Sequence, residues 1–347
     1  MVTESRPKTV LLLRFSAIGD IVLTSPAVDA LARAWPETRI IFATKARFVP
    51  LVAHHPSIAD VVGLEAGESV WALRRRLAAF RPAAVLDLHG KARGMVLRLL
   101  VPSRRRVLCR KRPRLQELRV RMGLSTYRAD MRISARYHAA VEALVGDTLA
   151  PGQLRYFVGE PTRVRVRELL AKSGIDLDRP VVGMAPGAMW ETKRWPPERF
   201  GALAARCIER GNQVVLTGSP AEASVIREVA AAAPGAVVLT DTLTLEDLGG
   251  LIERCRAFVA NDSGPMHIAR ALGTPTLAIF GSTDPGQFDL TGHELLFAEV
   301  PCSPCSLYGL RRCPESHFDC MRRLYVDTAW ESMQRLLEGG RRPFVAG

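Results

Sequence analysis

Short apolar runs alternate with longer amphipathic stretches along most of this chain, and this alternation restricts its fold more than any other feature. Runs such as Val10–Phe15 and Val181–Ala185 have the length and apolar content of buried strands. Between them, stretches such as Ile21–Trp35 and Pro197–Arg210 place apolar residues at helical spacing. The pattern predicts an α/β fold of doubly wound parallel sheets.

The predicted strands form two series, separated by a polar stretch at 159–180 that contains one charged helix, Thr162–Lys172. The first series comprises Val10–Phe15, Arg39–Ala43, Ala84–Leu88 and Arg106–Cys109, and the second comprises Val181–Ala185, Gln213–Thr217, Val237–Thr240, Ala257–Ala260 and Thr276–Phe280. A chain of 347 residues is long enough for two domains of ~100–200 residues each. We expect an N-terminal domain over 1–165, a C-terminal domain over 166–325, and a final helix in 326–347 as a candidate to pack back on the N-terminal domain.

The net charge of +13 belongs entirely to one half of the chain. Residues 1–150 carry 26 Lys and Arg against 12 Asp and Glu, whereas residues 151–347 carry 22 against 23. The excess is densest from Arg98 to Arg136. Such a field attracts nucleic acid, acidic lipid or a phosphorylated substrate, whereas general solubility needs no one-sided distribution. The asymmetry favours an anionic partner for the first half.

The sequence predicts a cytoplasmic protein, because it shows no targeting signal and its cysteines do not suggest disulfides. No apolar run reaches the ~20 residues that span a bilayer, and Met1–Lys8 lacks the apolar centre of a secretory signal. The seven cysteines are odd in number and clustered late, so they make a poor disulfide framework.

Three loops at the carboxyl ends of predicted strands carry candidate functional residues, because ligands of open α/β sheets bind at that edge. The first loop, Arg14–Asp20, follows strand one and places Asp20 at the start of a helix. A carboxylate there suits a general base acting on a hydroxyl group. From this loop alone, a helix N-cap is the favoured alternative.

The second loop, Ala185–Pro196, contains a turn at Gly187 and the pair Lys193 and Arg194. Backbone N–H groups at such a turn and a lysine can cradle an anion without a metal. Solvated loop charges are the alternative, but two flanking tryptophans argue against it.

The third loop, Asn261–His267, ends a strand and begins a helix, with Pro265 suited to the first helical position. Ser263 and Gly264 leave N–H groups free at the helix N-terminus, which suits a phosphate. A well-capped helix with a packed histidine is the alternative. Weaker signals come from Glu222, which can accept hydrogen bonds from a ribose diol, and from the strand end Asp87–Lys91.

Four late cysteines have the spacing C-x2-C-x7-C-x6-C, namely Cys302, Cys305, Cys313 and Cys320. Four thiols with one C-x2-C pair are compatible with a tetrahedral structural zinc site. The full spacing is not a well-known zinc pattern, and reduced packing thiols are the alternative.

Taken together, these loops resemble the ADP-heptose:lipopolysaccharide heptosyltransferases of glycosyltransferase family 9, nearest to the heptosyltransferase II branch. The resemblance extends from about Val10 to Met321. Its specific parts are Arg14–Asp20, Pro186-Gly187 followed by Lys193–Pro196, Gly218-Ser219 with Glu222, and Asn261–His267.

The resemblance implies a GT-B fold, in which two Rossmann-like domains face each other across a cleft. It implies an inverting transfer of heptose from ADP-L-glycero-D-manno-heptose to the inner core of lipopolysaccharide, with a lipid A–Kdo-heptose acceptor. The C-terminal domain would bind the donor and the N-terminal domain the acceptor. No cofactor would be required for catalysis, and the enzyme would touch the cytoplasmic face of the inner membrane.

The resemblance also assigns roles to residues. Asp20 would be the base, and Lys193 would neutralise charge on the departing ADP. The other donor-binding residues would be Gly187, Glu222, Leu243, Asp262, Ser263, Gly264, Met266 and His267. Glu222 would hold the ribose, and the backbone near Leu243 would contact the adenine. Ser263, Gly264 and Met266, at the start of a helix, would contact the pyrophosphate. The candidate acceptor-binding residues are His89, Lys91 and Arg93.

Three other functions compete with this one. A family member could use a different nucleotide sugar or acceptor glycan. A nucleic-acid-binding protein acting through Arg98–Arg136 predicts stacking aromatic residues there, but only Tyr127 is present. A Rossmann dehydrogenase requires G-x-G-x-x-G, which is missing.

Overall fold

The computed structural model describes residues 6–109, 119–120 and 131–339. The chain divides into two compact units, one formed by 1–111 with 131–157 and the other by 112–130 with 158–347. The border at 157–158 falls before the helix Glu160–Lys172, because that helix packs within the second unit. Among the described residues, no helix combines the length and apolar content needed to cross a bilayer.

The first unit contains a five-stranded parallel sheet in the order β3-β2-β1-β4-β5. Its strands are β1 (Thr9–Leu13), β2 (Arg39–Lys45), β3 (Asp60–Leu64), β4 (Ala84–Asp87) and β5 (Arg105–Leu108). Its described helices are α1 (Ile18–Val22), α2 (Ser25–Ala34), α3 (Val70–Ala79), α4 (Ala92–Leu100) and α5 (Ile133–Val145), with a 3-10 turn at Ala46–Leu51.

Two features of the first unit differ from the sequence prediction. The helix predicted over Ile21–Trp35 is divided into α1 and α2, because Pro26 has no N–H to bond to the Val22 carbonyl. Strand β3 was not predicted; it is a short edge strand of which only three residues are buried.

The second unit contains a six-stranded parallel sheet in the order β11-β10-β9-β6-β7-β8. Its strands are β6 (Val181–Ala185), β7 (Gln213–Thr217), β8 (Val237–Leu239), β9 (Ala257–Asn261), β10 (Thr276–Phe280) and β11 (Glu294–Phe297). Its described helices are α6 (Glu160–Lys172), α7 (Pro197–Glu209), α8 (Ala223–Ala231), α9 (Leu245–Arg254), α10 (Gly264–Ala271), α11 (Asp319–Arg322) and α12 (Val326–Glu338). Two parallel α/β units confirm the predicted fold class.

The final helix, α12, packs on α7 and on the β9–β11 side of the second sheet. Its residues Ala329, Met333 and Leu336 belong to the core of the second unit. Packing of this helix on the N-terminal domain stays a prediction. Its apolar face is already buried against the sheet that precedes it in the chain.

Each sheet has a switch point, where the strand order changes direction and adjacent loops leave to opposite sides. In the first sheet this point lies between β1 and β4, and in the second it lies between β6 and β9. Ligands of open α/β sheets bind at the carboxyl ends of such strands. The topology therefore predicts ligand sites in the loops that follow these four strands.

Candidate functional site

Asp20 lies in the loop after β1, as the third residue of α1. Its Oδ2 forms an ion pair with Arg14 and accepts a hydrogen bond from the Ala17 N–H at 3.4 Å. Its Oδ1 accepts a hydrogen bond from the Tyr137 hydroxyl at 3.3 Å. The Asp20 side chain is 31% exposed. Asp20 therefore caps α1 and also presents a reachable carboxylate, so the two alternatives from the sequence are compatible.

Arg14 and Tyr137 hold this carboxylate, and neither was assigned a role from the sequence. Arg14 donates to the Leu88 carbonyl at 2.6 Å, which joins the ends of β1 and β4, and its guanidinium lies 5.5 Å from the centre of the Tyr137 ring. Burial, together with the charge of Asp20, raises the pKa of the Tyr137 phenol. The phenol therefore stays protonated and can donate to Asp20.

The two missed residues differ in how strongly the sequence indicated them. Arg14 lies in the loop Arg14–Asp20, so the sequence already places a basic residue close to the Asp20 carboxylate. Tyr137 lies on α5, 117 residues after Asp20, and no local pattern could have indicated it.

The candidate acceptor residues lie after β4, the strand next to β1. Buried Asp87 orders this loop, since its Oδ1 accepts hydrogen bonds from the N–H groups of His89 at 2.8 Å and Gly90 at 2.9 Å. The His89 ring packs edge-on against Phe15, at 5.6 Å between ring centres. This contact brings His89 to the Asp20 loop.

Lys91 and Arg93 lie further along the same segment, at the N-terminus of α4, and both are exposed. The helix approaches Asp87 closely at Gly94, where a Cβ atom would lie 2.7 Å from the Asp87 Oδ1. Glycine is therefore required at that contact, while Lys91 and Arg93 face solvent.

In the second unit, Lys193 and Asp262 form a nearly buried ion pair. The Lys193 Nζ lies 2.6 Å from the Asp262 Oδ2, and the two side chains are 13% and 6% exposed. Thr283 donates to the same oxygen at 2.7 Å, and the His267 Nε2 lies 3.8 Å from the other. Burial opposes the charge of Asp262, but Lys193, His267 and the Thr283 hydroxyl hold its pKa below the ordinary value. The pair is thus a fixed, charged element of the site.

The N-terminus of α10 lies immediately after Asp262. Ser263 is the N-cap residue, but its side chain makes no capping hydrogen bond. The Ser263 hydroxyl oxygen is buried without a hydrogen-bond partner among the described residues. Backbone N–H groups at this end, including those of Gly264 and Met266, carry the positive end of the helix dipole. Together they form a site suited to a phosphate group.

Around this helix end, two side chains act mainly through packing. Met266 is fully buried. His267 packs against Phe288, at 4.7 Å between ring centres, and its Nδ1 lies 3.3 Å from Arg270. Asp262 and His267 therefore shape the loop through these contacts.

The loops after β6 and β9 are joined by Asn261, which received no individual role from the sequence. Its side-chain amide donates to the Pro186 carbonyl at 2.8 Å, and its carbonyl accepts from the Trp195 N–H at 3.0 Å. These bonds hold the segment that carries Gly187 and Lys193 against Asp262. A buried Asn ending a central strand was the available sequence signal.

Glu222 and Gly187 are in direct contact. A Cβ atom at Gly187 would overlap the Glu222 carboxylate, so only glycine permits this approach. Glu222 is held by Ser219, whose N–H and hydroxyl donate to it at 2.8 and 2.7 Å. Leu243 is half-buried in the turn before Thr244, the N-cap of α9. The structure thus links Glu222 to the β6 loop, while Leu243 lies in the separate turn that follows β8.

The predicted zinc site is not formed. All four late cysteines are described and carry free thiols, and no three His, Cys, Asp or Glu side chains among the described residues form a group that could hold a metal ion. Cys320 is instead buried in the core of the second unit, with Cys302 packed against the same core. Burial raises the pKa of Cys305 to about 11 and that of Cys320 to about 12. Neighbouring thiols add to this rise, since Cys302 and Cys313 act on Cys305, and all three act on Cys320.

Part of the basic stretch Arg98–Arg136 lies outside the described residues, at 110–118 and 121–130. Within its described part, two arginines form hydrogen bonds to backbone carbonyls of the first unit. Arg105 donates to the Leu144 carbonyl at 3.4 Å, and Arg106 donates to the Arg98 carbonyl at 3.0 Å.

Comparison with known proteins identifies the family of this chain. The model of glycosyltransferase family 9 (heptosyltransferase) matches residues 70–308. Lipopolysaccharide heptosyltransferase 1 of Pseudomonas aeruginosa is 28% identical over 319 residues, which cover 85% of each chain. Lipooligosaccharide heptosyltransferase 2 of Haemophilus influenzae is 39% identical over 114 residues, 31% of this chain and 33% of the relative.

A solved structure extends the agreement to the fold. The structure of E. coli ADP-heptose LPS heptosyltransferase II has a TM-score of 0.75 and 22% identity, with 95% of this chain and 99% of that chain covered. The family match spans well over half of the chain and includes every candidate donor residue. This chain is therefore a glycosyltransferase that belongs to family 9, the heptosyltransferases.

Proposed function

We propose that this enzyme transfers heptose, with inversion, from ADP-L-glycero-D-manno-heptose to the inner core of lipopolysaccharide, on a lipid A–Kdo-heptose acceptor. The relatives named above are lipopolysaccharide or lipooligosaccharide heptosyltransferases, and one structural neighbour is named for ADP-heptose. Donor, acceptor and the place of work, the cytoplasmic face of the inner membrane, are part of the proposal.

In the proposed reaction, Asp20 takes the proton from the acceptor hydroxyl as its oxygen attacks the anomeric carbon of the heptose. Arg14 and Ala17 engage the Asp20 Oδ2, and Tyr137 makes a longer hydrogen bond to Oδ1. These contacts fix the carboxylate in one orientation. His89, Lys91 and Arg93 are the proposed contacts of the acceptor.

As the new bond forms, the bond from the anomeric carbon to the diphosphate oxygen breaks, and its electron pair leaves with ADP. Attack from the side opposite this bond inverts the configuration. The departing diphosphate gains negative charge, which Lys193 and the N-terminus of α10 are placed to stabilise. This role requires a positive charge fixed in advance, which is what the contact with Asp262 provides.

The remaining donor residues would recognise the nucleoside. Glu222, anchored by Ser219 and packed on Gly187, offers a carboxylate for the ribose diol. The backbone near Leu243 would meet the adenine.

The strongest support for the proposal comes from the surroundings of Lys193. Lys193 lies 2.6 Å from Asp262, directly beside a helix N-terminus whose Ser263 hydroxyl has no partner among the described residues. A fixed cation, free helical N–H groups and an unused hydroxyl form a site prepared for a diphosphate.

The test is transfer from ADP-heptose to purified lipopolysaccharide that is truncated after its first heptose, with and without a chelator. We expect a product larger by one heptose, at a rate that the chelator does not change. Absence of transfer to this lipid A–Kdo-heptose acceptor would contradict the proposal. Transfer from another nucleotide sugar, at a higher rate than from ADP-heptose, would assign a different donor. Full loss of activity with chelator would contradict the proposed role of Lys193 and α10 as the source of positive charge.

A further inference from the structure

The helices α3 and α4 pack side by side on the first sheet and leave one surface outward. They contact the core of the first unit through Leu73, Leu77 and Leu97. Arg74 joins them, since its Nε donates to the Leu100 carbonyl at 3.1 Å. None of the exposed apolar side chains of this helix pair belongs to the candidate active site described above.

This outward surface carries large apolar side chains, which we name the α3–α4 face. Its members are Trp71, Met95, Val96 and Leu99, which are 64%, 38%, 41% and 62% exposed. Isolated exposed apolar residues are ordinary on protein surfaces. Here, however, three of the four lie within five consecutive residues of α4. Such clustering marks an interaction surface.

The charge around the α3–α4 face is mainly positive. The segment 70–109 contains ten Lys and Arg but a single acidic residue, the buried Asp87, although Glu68 just before it pairs with Arg76 of α3. Arg75 and Arg93 are exposed on the two helices, and Lys91 is exposed at the N-cap of α4. Exposed apolar side chains mixed with basic ones bind anionic lipid surfaces, through burial among acyl chains and attraction to head groups.

We propose that the α3–α4 face docks on an anionic phospholipid surface. Trp71 and Leu99 enter the boundary between head groups and acyl chains, and the surrounding basic residues pair with lipid phosphates. The inference rests on the proposed function, because a lipid-linked acceptor lies in such a surface. A nucleic acid would satisfy the basic residues but not the exposed apolar ones.

The position of α4 connects this surface to the candidate base. The helix begins directly after the loop that follows β4, and the Leu88 N–H donates to the Leu13 carbonyl at 3.1 Å. Leu13 ends β1 and precedes the Asp20 loop. A lipid-linked sugar at the N-terminus of α4 therefore lies near Asp20 within the first unit.

The test is cosedimentation of the full-length protein with vesicles of phosphatidylglycerol and phosphatidylcholine, compared with vesicles of phosphatidylcholine alone. We expect binding to the first and much weaker binding to the second, and we expect it to weaken as salt is added. The variant Trp71→Ser/Leu99→Ser should bind at least about tenfold more weakly, since it removes two buried apolar contacts with lipid. The control is Val164→Ser/Leu295→Ser, which changes two exposed apolar residues of the second unit, 47% and 41% exposed.

Insertion can be observed directly at Trp71. Phospholipids brominated on their acyl chains should quench part of the tryptophan fluorescence in the wild type, and Trp71→Phe should abolish that part. Equal binding by the Trp71→Ser/Leu99→Ser variant and the wild type would overturn the proposal. So would self-association that the same variant abolishes in the absence of any vesicle binding, since the face would then bind a second copy.

Failure of this inference can be separated from failure of the proposed function. Transfer to a deacylated, water-soluble core acceptor needs no membrane, so the Trp71→Ser/Leu99→Ser variant should retain wild-type activity on it. Normal transfer without vesicle binding would overturn only the docking surface. Vesicle binding without transfer to any acceptor would overturn only the proposed function.

Discussion

Each unit places one carboxylate after a central strand, and the two carboxylates differ in how far they are exposed. Asp20 in the first unit is 31% exposed, and Asp262 in the second is 6% exposed. Both are paired with a cation, Arg14 and Lys193 respectively. The exposed carboxylate is available to take a proton, whereas the buried one serves to hold a lysine. Burial, rather than residue type or topology, separates the two roles.

The largest effect is expected from Asp20→Asn. An amide can still cap α1 but cannot accept a proton at catalytic pH, so turnover should fall by about 100-fold to 10,000-fold. ADP binding, measured by calorimetry, should stay near the wild-type value, because its proposed residues lie in the second unit. The control is Asp60→Asn, which disrupts an exposed pair with Arg39 at 2.8 Å. Near-normal turnover of Asp20→Asn would reduce Asp20 to a helix cap.

Lys193→Met should have the next largest effect. It removes the positive charge proposed to stabilise the diphosphate, so kcat should fall by about 100-fold or more, and ADP should bind more weakly. The loss also leaves Asp262 charged and buried, so thermal unfolding must be measured beside activity. Asp262→Asn/Lys193→Met restores neutrality and should recover stability without recovering turnover. Recovery of turnover in the double variant would contradict the role of Lys193.

A third prediction compares the acid stability of the units through one histidine in each, the buried His55 and the half-buried His293. Burial, assisted by Arg155, lowers the pKa of His55 from 6.5 to about 4, and burial, with Arg270, does the same for His293. The unfolded chain therefore binds protons that the folded chain does not, so stability falls as the pH decreases from about 6.5 to about 4. Each histidine contributes on the order of 3 kcal/mol to that loss at its limit.

Hydrogen exchange measured on individual peptides reports the stability of each unit separately. In His55→Gln, protection of first-unit peptides should depend less on pH over that range, while second-unit peptides should behave as in the wild type. His54→Gln, at an exposed neighbouring position, is the control. An unchanged pH dependence in His55→Gln would show that His55 does not limit the acid stability of its unit.

The smallest effect is expected from Tyr137→Phe. The substitution removes one hydrogen bond to the Asp20 carboxylate, worth about 1 kcal/mol, so kcat/KM should fall about fivefold. The loss should appear in kcat while the KM for the acceptor stays near its wild-type value, because Tyr137 orients the carboxylate and does not bind the acceptor. A purely structural role for Tyr137 would lower stability without lowering kcat. Tyr156→Phe, at another buried tyrosine of the first unit, serves as the matched control.

The two sites also differ in how well the sequence revealed them. In the second unit, Asp262, Ser263, Gly264 and His267 are neighbours in the chain, so one short motif exposed most of the phosphate site. In the first unit, Arg14 and Ala17 lie in the same loop as Asp20, whereas Tyr137 lies 117 residues later and was missed. The cysteine spacing left a zinc site and packing thiols open, and the structure does not support the zinc site.

Much of this protein was determined by the sequence alone. Periodicity of apolar residues decided two parallel α/β units, since burial of strands and amphipathic helices requires that pattern. Charge counts placed the basic excess in the first half, and local motifs indicated Asp20, Lys193 and the α10 N-terminus as candidates. Only the tertiary structure decided that Asp20 stays exposed while Asp262 is buried with Lys193, and that apolar side chains of α3 and α4 face outward. Burial depends on what other segments cover, which is a long-range property that no local spacing contains.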